Sequence, residues 1–294
     1  MFLANLSSRV FLSIWAGFFL ELKRANIQTI TQKAPFASYQ NIQYFLSEAQ
    51  WDSELLNNKR LQILHATRPT KSCAKGVLAL DDTSCRKSGK KTQGAKVQYS
   101  STEDHLINCN VVVLSSYCDE VKRFPVNLRP YLPKEEFDLA EDDPDFKSKI
   151  QLAKELVDDT LQKNIQFSDT VFDNWYFSND FISHLENKYL TWITEADGQR
   201  LISYQGKWCP ADELVKLIPS IKFTRKVTVP NSQGKMKTFR LYGFETKIKG
   251  LRGKKKVVIS KGSWDEQDPK KVHIYVTNHR SLSDQEVVLK YALR

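Results

Sequence analysis

The chain has 294 residues, of which 41% are hydrophobic and 27% charged, as in an ordinary globular protein with one large core or two modest ones. Its net charge is +10, which favours a polyanionic partner. The five cysteines are odd in number and form no C-x-x-C pair, which argues against a disulfide framework and against a structural zinc site.

The N-terminal region carries an apolar run, residues 10–20, that is similar to the core of a signal peptide. The run is too short to span a bilayer, and no small-residue cleavage pattern follows it. We therefore predict a helix packed in a domain core, in a cytoplasmic protein with no membrane partner. Apolar residues near a 3.6-residue period continue to about residue 66, which predicts a helical region over residues 1–70 that grips DNA or a second protomer.

Two hydrophobic runs each lead into an aspartate. Residues 76–80 precede Asp81, and residues 170–172 precede Asp173. Carboxylate oxygens are the ligands that Mg²⁺ prefers, and two such ions can clamp the attacking and leaving oxygens of a phosphodiester. The sequence therefore predicts a two-metal site for Mg²⁺ (or Mn²⁺) at Asp81 and Asp173. No third carboxylate is obvious.

The elements around these aspartates are predicted in the order β-β-β-α-β-α-β. The ranges are 77–82, 97–100 and 108–116 for the first strands, then 146–163, 170–173, 179–187 and 190–194. This is the order of the RNase H-like fold of the retroviral-integrase type, in which the first and fourth strands lie side by side. We predict an α/β protein with a mixed RNase H-like sheet, whose first part spans residues 71–199. An acidic stretch, 134–145, is interpreted as a solvated helix N-terminus rather than a metal site.

The composition changes after residue 200. From residue 221 to residue 261, thirteen Lys or Arg residues stand against one acid, Glu245. Strand-like runs alternate with turns up to residue 277, which predicts a β-rich, basic insertion over residues 200–277. Ser283 then caps a helix in the last predicted segment, residues 278–294.

Basic side chains cluster beside the first aspartate and in the insertion, where they are suited to neutralise phosphates. A solvated loop is the alternative for the first cluster. We predict double-stranded DNA as the partner. The predicted DNA-binding residues are Lys87, Lys90, Lys91, Arg252, Lys254, Lys255 and Lys256.

Several short segments, taken in order, carry a family resemblance. They are Leu80–Thr83 with Lys87–Gly89, Gln98–Ser100, Phe172–Tyr176 and Tyr291–Arg294. From about residue 40 onward the chain resembles the DDE transposases of bacterial insertion sequences, in the insertion-sequence-four-like branch with a Y-R-E-K signature. The resemblance implies that Asp81 and Asp173 are the first two catalytic carboxylates. It also implies that Tyr291 and Arg294 grip the DNA backbone near the cleaved end, in a homodimer bound to transposon ends and target DNA.

The resemblance also implies Mg²⁺-dependent strand cleavage and strand transfer. The family signature places a catalytic glutamate four residues after the arginine, whereas the chain ends at Arg294. The resemblance thus implies that residues 278–294 are the truncated start of the helix that closes the catalytic domain, and we expect impaired catalysis. Glu286 lies two helical turns too early, a displacement of roughly 11 Å, and is not expected to replace it. Two alternatives stay open. One is a fragment that a frameshifted continuation completes, and the other is a catalytically dead DNA-binding remnant that occupies ends or poisons multimers.

Overall fold

A computed structural model describes residues 2–20, 26–50, 52–89, 92–100, 103–133, 146–230, 234–263 and 271–294, with backbone alone at 2–7 and 18–19. The predicted DNA-binding residues Lys90 and Lys91 and the acidic stretch 134–145 lie outside these ranges. The chain divides into two compact units, Met1–Arg60 and Leu61–Arg294.

The first unit is helical in the residues that the structure describes. It contains α1 (Phe2–Phe19), α2 (Ile27–Lys33), α3 (Tyr39–Ser47) and the start of α4 (Ser53–Ala66). Val10 is buried against Ile30 and Ile42, so one face of the apolar run packs in the core of this unit, whereas Leu12 and Trp15 of the same run are exposed. Within the described ranges, no helix has both the length and the apolar character needed to cross a membrane. The predicted boundary at residue 70 stays a prediction.

The second unit is built on one large mixed sheet. In chain order its strands are β1 (Val77–Arg86), β2 (Lys96–Ser100), β3 (His105–Cys118), β4 (Arg123–Tyr131), β5 (Asp169–Phe172), β6 (Thr191–Glu195), β9 (Arg225–Pro230), β10 (Met236–Lys247), β11 (Lys254–Lys261) and β12 (Val272–Thr277). A separate hairpin is formed by β7 (Leu201–Tyr204) and β8 (Lys207–Pro210). The helices of the second unit after α4 are α5 (Lys149–Gln162), α6 (Asn179–Asn187), α7 (Ala211–Leu217) and α8 (Asp284–Tyr291).

The strand order across the sheet is β2-β3-β1-β5-β6-β12-β11-β10-β9, and β4 pairs with the remaining part of β3. The centre is parallel: Leu80 of β1 is opposite Phe172 of β5, which is opposite Thr194 of β6. All three side chains are fully buried, as expected for strands covered on both faces. The predicted mixed α/β sheet and the neighbouring positions of the two aspartate strands are confirmed.

Two details of the prediction are wrong. The predicted three-stranded start of the sheet lacked β4. This strand contains Pro125 and Pro130, which it tolerates since it pairs with β3 alone among the described strands. Asp81 does not end its strand either. The long strand β3 pairs with β1 as far as Arg86 opposite Cys109, so β1 continues beyond the aspartate.

The described part of residues 200–277 contains the strands β7 to β12 together with α7, and the β-rich insertion expected there stays a prediction. Its strands extend the same sheet, because β12 pairs antiparallel with β6 and places Tyr275 opposite Glu195. The predicted boundary between residues 199 and 200 stays a prediction.

Alternate residues of β1 enter different cores. Leu78 and Leu80 join the core that α5 and α6 cover, whereas Val77 and Ala79 join the core that α8 covers. Because side chains of a strand point alternately to its two faces, Asp81 belongs to the α8 face and its neighbour Asp82 to the α5 face. This alternation decides which carboxylates can meet.

Candidate functional site

The two adjacent aspartates of β1 have different surroundings. Asp82 accepts a bond from the ammonium of Lys149 on α5 at 2.8 Å and one from the Tyr176 hydroxyl at 3.4 Å. Asp81 faces away from α5, and its Oδ2 lies 3.3 Å from the guanidinium of Arg294, which follows α8. Asp82 is therefore bound into the α5 side of the fold, and Asp81 is the carboxylate of this pair that faces the candidate site.

Asp173 directly follows β5 and caps a short 3₁₀ turn, Asn174–Tyr176. Its side chain accepts the backbone N–H of Trp175 at 2.8 Å, and its carbonyl accepts the hydroxyl of Thr194 at 3.1 Å. These bonds fix the aspartate in extended backbone geometry immediately beyond Phe172. Asp173 thus follows Phe172 as Asp81 follows Leu80.

Arg294 links the two aspartates. Its Nη1 lies 3.3 Å from Asp81 Oδ2 and 4.0 Å from Asp173 Oδ2, and its guanidinium lies 5.4 Å from the centre of the Tyr291 ring. Burial raises the pKa of Asp81 above its ordinary value, although Arg294 lowers it in part. The structure therefore brings together Asp81, Asp173 and Arg294, with Tyr291 beside them.

The helix that supplies Tyr291 is fixed at both ends. Ser283 and Glu286 form a reciprocal capping box at its start, as predicted for Ser283. Near its end, Lys290 donates to the fully buried Asp169 of β5 at 2.7 Å, and His279 contacts the same carboxylate at 2.7 Å. Glu286 is thus used as a cap, in agreement with its exclusion as a catalytic group.

A further carboxylate, Glu195, was not identified from the sequence. It is the last residue of β6, immediately after Thr194. Its Oε1 lies 2.8 Å from His273 Nδ1, and its Oε2 accepts a 3.5 Å bond from the Tyr291 hydroxyl. The Glu195 contact raises the pKa of His273. The run Leu190–Thr194 predicts the strand, but the register that places its next residue beside Asp173 comes only from the folded sheet.

An open cleft of about 470 Å³ extends from Asp81 over β1, β3 and the start of β4. Arg123 and Arg294 line it together with Asp81 and Asp82. Acidic and basic side chains therefore share one accessible depression.

The predicted DNA-binding residues are not gathered there as a set. Arg252 and Lys254 are exposed, and Lys87 is half-buried. Lys255 is buried and pairs with Glu186 at 2.8 Å, while Lys256 lies 3.0 Å from the buried Asp284. These two lysines are adjacent in sequence to exposed ones, but their charges are balanced inside the fold, which no local pattern reveals.

The donor set fits a hard divalent cation, because Asp81 and Asp173 present carboxylate oxygens toward one cationic group. The part of the chain that the structure describes contains no cluster of three or more His, Cys, Asp or Glu side chains already close enough to hold a metal ion.

The family model described as DDE superfamily endonuclease matches residues 2–206. The chain therefore belongs to the DDE superfamily endonucleases, as the sequence predicted. The insertion-sequence-four-like branch and the Y-R-E-K signature stay predictions.

The chain is also similar to a probable transposase for insertion sequence element IS701 of Microchaete diplosiphon, with 24% identity over 193 residues. This match covers 64% of the chain and 48% of that protein, so the chain spans about half the length of the curated relative.

Two solved structures are similar in part. The Drosophila P element transposase strand transfer complex has 13% identity and a TM-score of 0.33, over 72% of this chain and 48% of that one. The NurA nuclease of Sulfolobus solfataricus has 9% identity and a TM-score of 0.38, over 82% of each chain. Neither likeness carries a conclusion about the fold.

Proposed function

We propose that the chain is part of a transposase of a bacterial insertion sequence and acts in Mg²⁺-dependent cleavage and strand transfer at transposon ends. The observation that carries the proposal is the register at the centre of the sheet. Asp81 and Asp173 follow Leu80 and Phe172, which are paired on adjacent parallel strands. Membership of the DDE superfamily endonucleases and the similarity to a probable transposase support the same function.

The catalytic domain is proposed to be RNase H-like. The arrangement β4-β3-β1-β5-β6 supports this, because β3 and β4 form an antiparallel meander with β1 while β5 and β6 are parallel to it. Helices α5 and α6 precede β5 and β6, as crossovers between parallel strands require.

Asp81 and Asp173 would hold the divalent metal. When bound, Mg²⁺ supplies activation of the attacking oxygen and stabilisation of the leaving oxygen. Arg294, now between the two carboxylates, would turn to the scissile phosphate, and Tyr291 provides the ring beside which its guanidinium lies. Arginine suits this role because its planar group donates two parallel bonds to a phosphate.

Double-stranded DNA is the proposed partner. The cleft beside Asp81 contains Arg123 and Arg294, and the exposed Arg252 and Lys254, with the half-buried Lys87, offer further phosphate contacts. Binding by a homodimer stays a prediction from the family resemblance. A second candidate, a DNA-binding chain without cleavage activity, is favoured by the Arg294 guanidinium, which lies 3.3 Å from Asp81 and 4.0 Å from Asp173 and so competes with a cation for these carboxylates.

The test is strand cleavage by the purified chain on labelled DNA that carries the element's ends, with and without Mg²⁺. Asp81→Asn and Asp173→Asn are expected to lower the rate at least a hundredfold, because each removes a metal-binding charge. Asp180→Asn is the matched control, since Asp180 is a 69%-exposed aspartate paired with Lys154. Cleavage that survives Asp81→Asn would refute the site. DNA binding without Mg²⁺-dependent cleavage would favour the second candidate.

A further inference from the structure

We propose that Lys149, the first residue of α5, is a positioning residue that fixes the two aspartates of the site relative to each other from the opposite face of the sheet. The inference rests on the proposed function, in which Asp81 and Asp173 hold the metal. Lys149 acts through Asp82 and Trp175, each of which is bonded to one of the two carboxylates.

The first connection runs through Asp82. The parallel pairing of β1 with β5 ends at Leu80, and two residues later the backbone N–H of Asp82 donates to Asp81 Oδ1 at 2.9 Å. The Asp82 side chain extends to the α5 face, where its Oδ2 accepts a bond from the Lys149 ammonium at 2.8 Å. Because Asp82 contacts both groups, its position influences where the carboxylate of Asp81 lies.

The second connection runs through Trp175. Its backbone N–H donates to Asp173 Oδ1 at 2.8 Å, and the Lys149 ammonium lies 5.1 Å from the centre of its ring. A cation at this distance from an indole face is attracted to it. Trp175 is 52% exposed, so the contact with Lys149 has more influence on its ring than it would have in a packed core. The same ammonium thus contacts a direct partner of each aspartate.

The Lys149 ammonium itself has a well-defined position. Ser148 caps α5 with a reciprocal capping box, which fixes the residue at which the helix begins. The ammonium lies 5.7 Å from the centre of the Tyr131 ring, and the Lys149 side chain is 20% exposed. The fully buried Tyr176 donates its hydroxyl to the other oxygen of Asp82 at 3.4 Å. The ion pair is therefore a fixed point between β1 and the segment that follows β5.

A metal site depends on such a fixed point, because ligand oxygens must lie within about 0.2 Å of the metal–oxygen bond length. Two other roles compete with this one. Lys149 could contact a DNA phosphate, but its ammonium already binds Asp82. Asp82 could be a metal ligand itself, but it belongs to the α5 face, whereas Asp81 lies beside Arg294 on the α8 face.

The experiment measures Mn²⁺ binding to the full chain by electron paramagnetic resonance of the free ion, without DNA. The double variant Lys149→Met/Asp82→Asn removes one charge of each sign, so the net charge beside the site is unchanged. We expect it to weaken Mn²⁺ binding about fivefold or more, since loss of an outer partner of a metal ligand costs about 10-fold to 100-fold. Lys154→Met/Asp180→Asn is the matched control. This pair joins α5 to α6 at 2.6 Å with a lysine that is 22% exposed, and its loss is expected to leave the affinity unchanged.

A substitution without any charge change tests the second connection. Trp175→Ala removes the ring beside the ammonium and is expected to weaken Mn²⁺ binding about threefold or more. Trp175→Phe keeps a ring at this position and is expected to restore most of the affinity. In the double variant, where the ammonium is gone, Trp175→Ala is expected to have no further effect.

Asp81→Asn separates this proposal from the proposed function. If Asp81→Asn leaves Mn²⁺ binding unchanged, the proposed metal site fails, and the role of Lys149 fails with it. If Asp81→Asn weakens binding while Lys149→Met/Asp82→Asn binds as the unaltered chain does, the role of Lys149 is overturned and the proposed function stands. Weakening by the double variant with unchanged binding in Trp175→Ala would also overturn that role, because Asp82 would then act on the metal by itself.

Discussion

The buried ion pair between Asp169 and Lys290 is expected to control the position of α8. Asp169 is fully buried at the start of β5, whereas Lys290 retains 18% exposure near the end of the helix. Removing one partner of a buried pair costs about 3 to 5 kcal/mol, because the remaining charge is left uncompensated. Lys290 is partly exposed and also donates to Ser168, so its ammonium would not be wholly uncompensated without Asp169. We therefore expect Asp169→Asn to lower the free energy of unfolding by a smaller amount, about 2–3 kcal/mol.

A double-mutant cycle isolates the pair. Lys290→Met removes the charge that Asp169→Asn would leave unpaired, so the double variant is expected to be about 1–2 kcal/mol more stable than the sum of the single effects predicts. Urea unfolding followed by circular dichroism measures each term. Asp180→Asn, at a surface ion pair, is expected to change stability by less than about 0.5 kcal/mol. Single effects of Asp169→Asn and Lys290→Met that add within about 0.5 kcal/mol would refute the coupling.

Two further predictions concern the hairpin between β3 and β4 and its surroundings. Burial disfavours ionisation of Asp119, but bonds from Lys122 and Tyr117 more than offset it and hold its pKa at about 2. This stabilisation is present above the ordinary pKa of 3.8 and is lost as the pH falls toward 2. Asp119→Asn should therefore remove about 1 kcal/mol of acid-dependent stability, after allowance for solvent screening. The prediction is contradicted if the urea midpoint falls between pH 5 and pH 2.5 by the same amount in the variant and in the unaltered chain. Gly76→Ala would place a methyl group 2.4 Å from the buried ring of Tyr117 and should cost about 1–3 kcal/mol, seen as a lower melting temperature. Gly262→Ala, whose methyl group meets its nearest neighbour at 3.8 Å, is the control, and an equal effect of both substitutions would exclude the clash.

The sequence predicted the parts of the site that local patterns encode. Continuous apolar runs before Asp81 and Asp173 indicate buried strands. The predicted order of strands and helices, that of the RNase H-like fold, then placed these two strands side by side, as β1 and β5 are. The cap of α8 was also predictable, because Ser283 and Glu286 have the spacing of a capping box. These features depend on residues that are near one another in the chain.

The remaining features depend on pairings between distant segments. In the sequence, Glu195 is simply the first polar residue after a strand. Its position near Asp173 depends on the alignment of β6 with β5 and of β5 with β1, which no local pattern encodes. Lys255 and Lys256 belong to a uniformly basic run, yet their partners, Glu186 and Asp284, are supplied by α6 and α8. Composition indicates how much charge a segment carries, whereas the fold decides which charges face solvent.

The pairing of β6 with β12 has a consequence for the growing polypeptide. β6 is an interior strand of the sheet, but its second neighbour, residues 272–277, is synthesised long after residues 191–195. A nascent chain that has completed β5 and β6 therefore exposes the free backbone edge of Ile193, Thr194 and Glu195 until β12 arrives. Such an edge is a template for pairing with other chains, so translation speed and chaperone access over residues 200–270 should govern the yield of native protein.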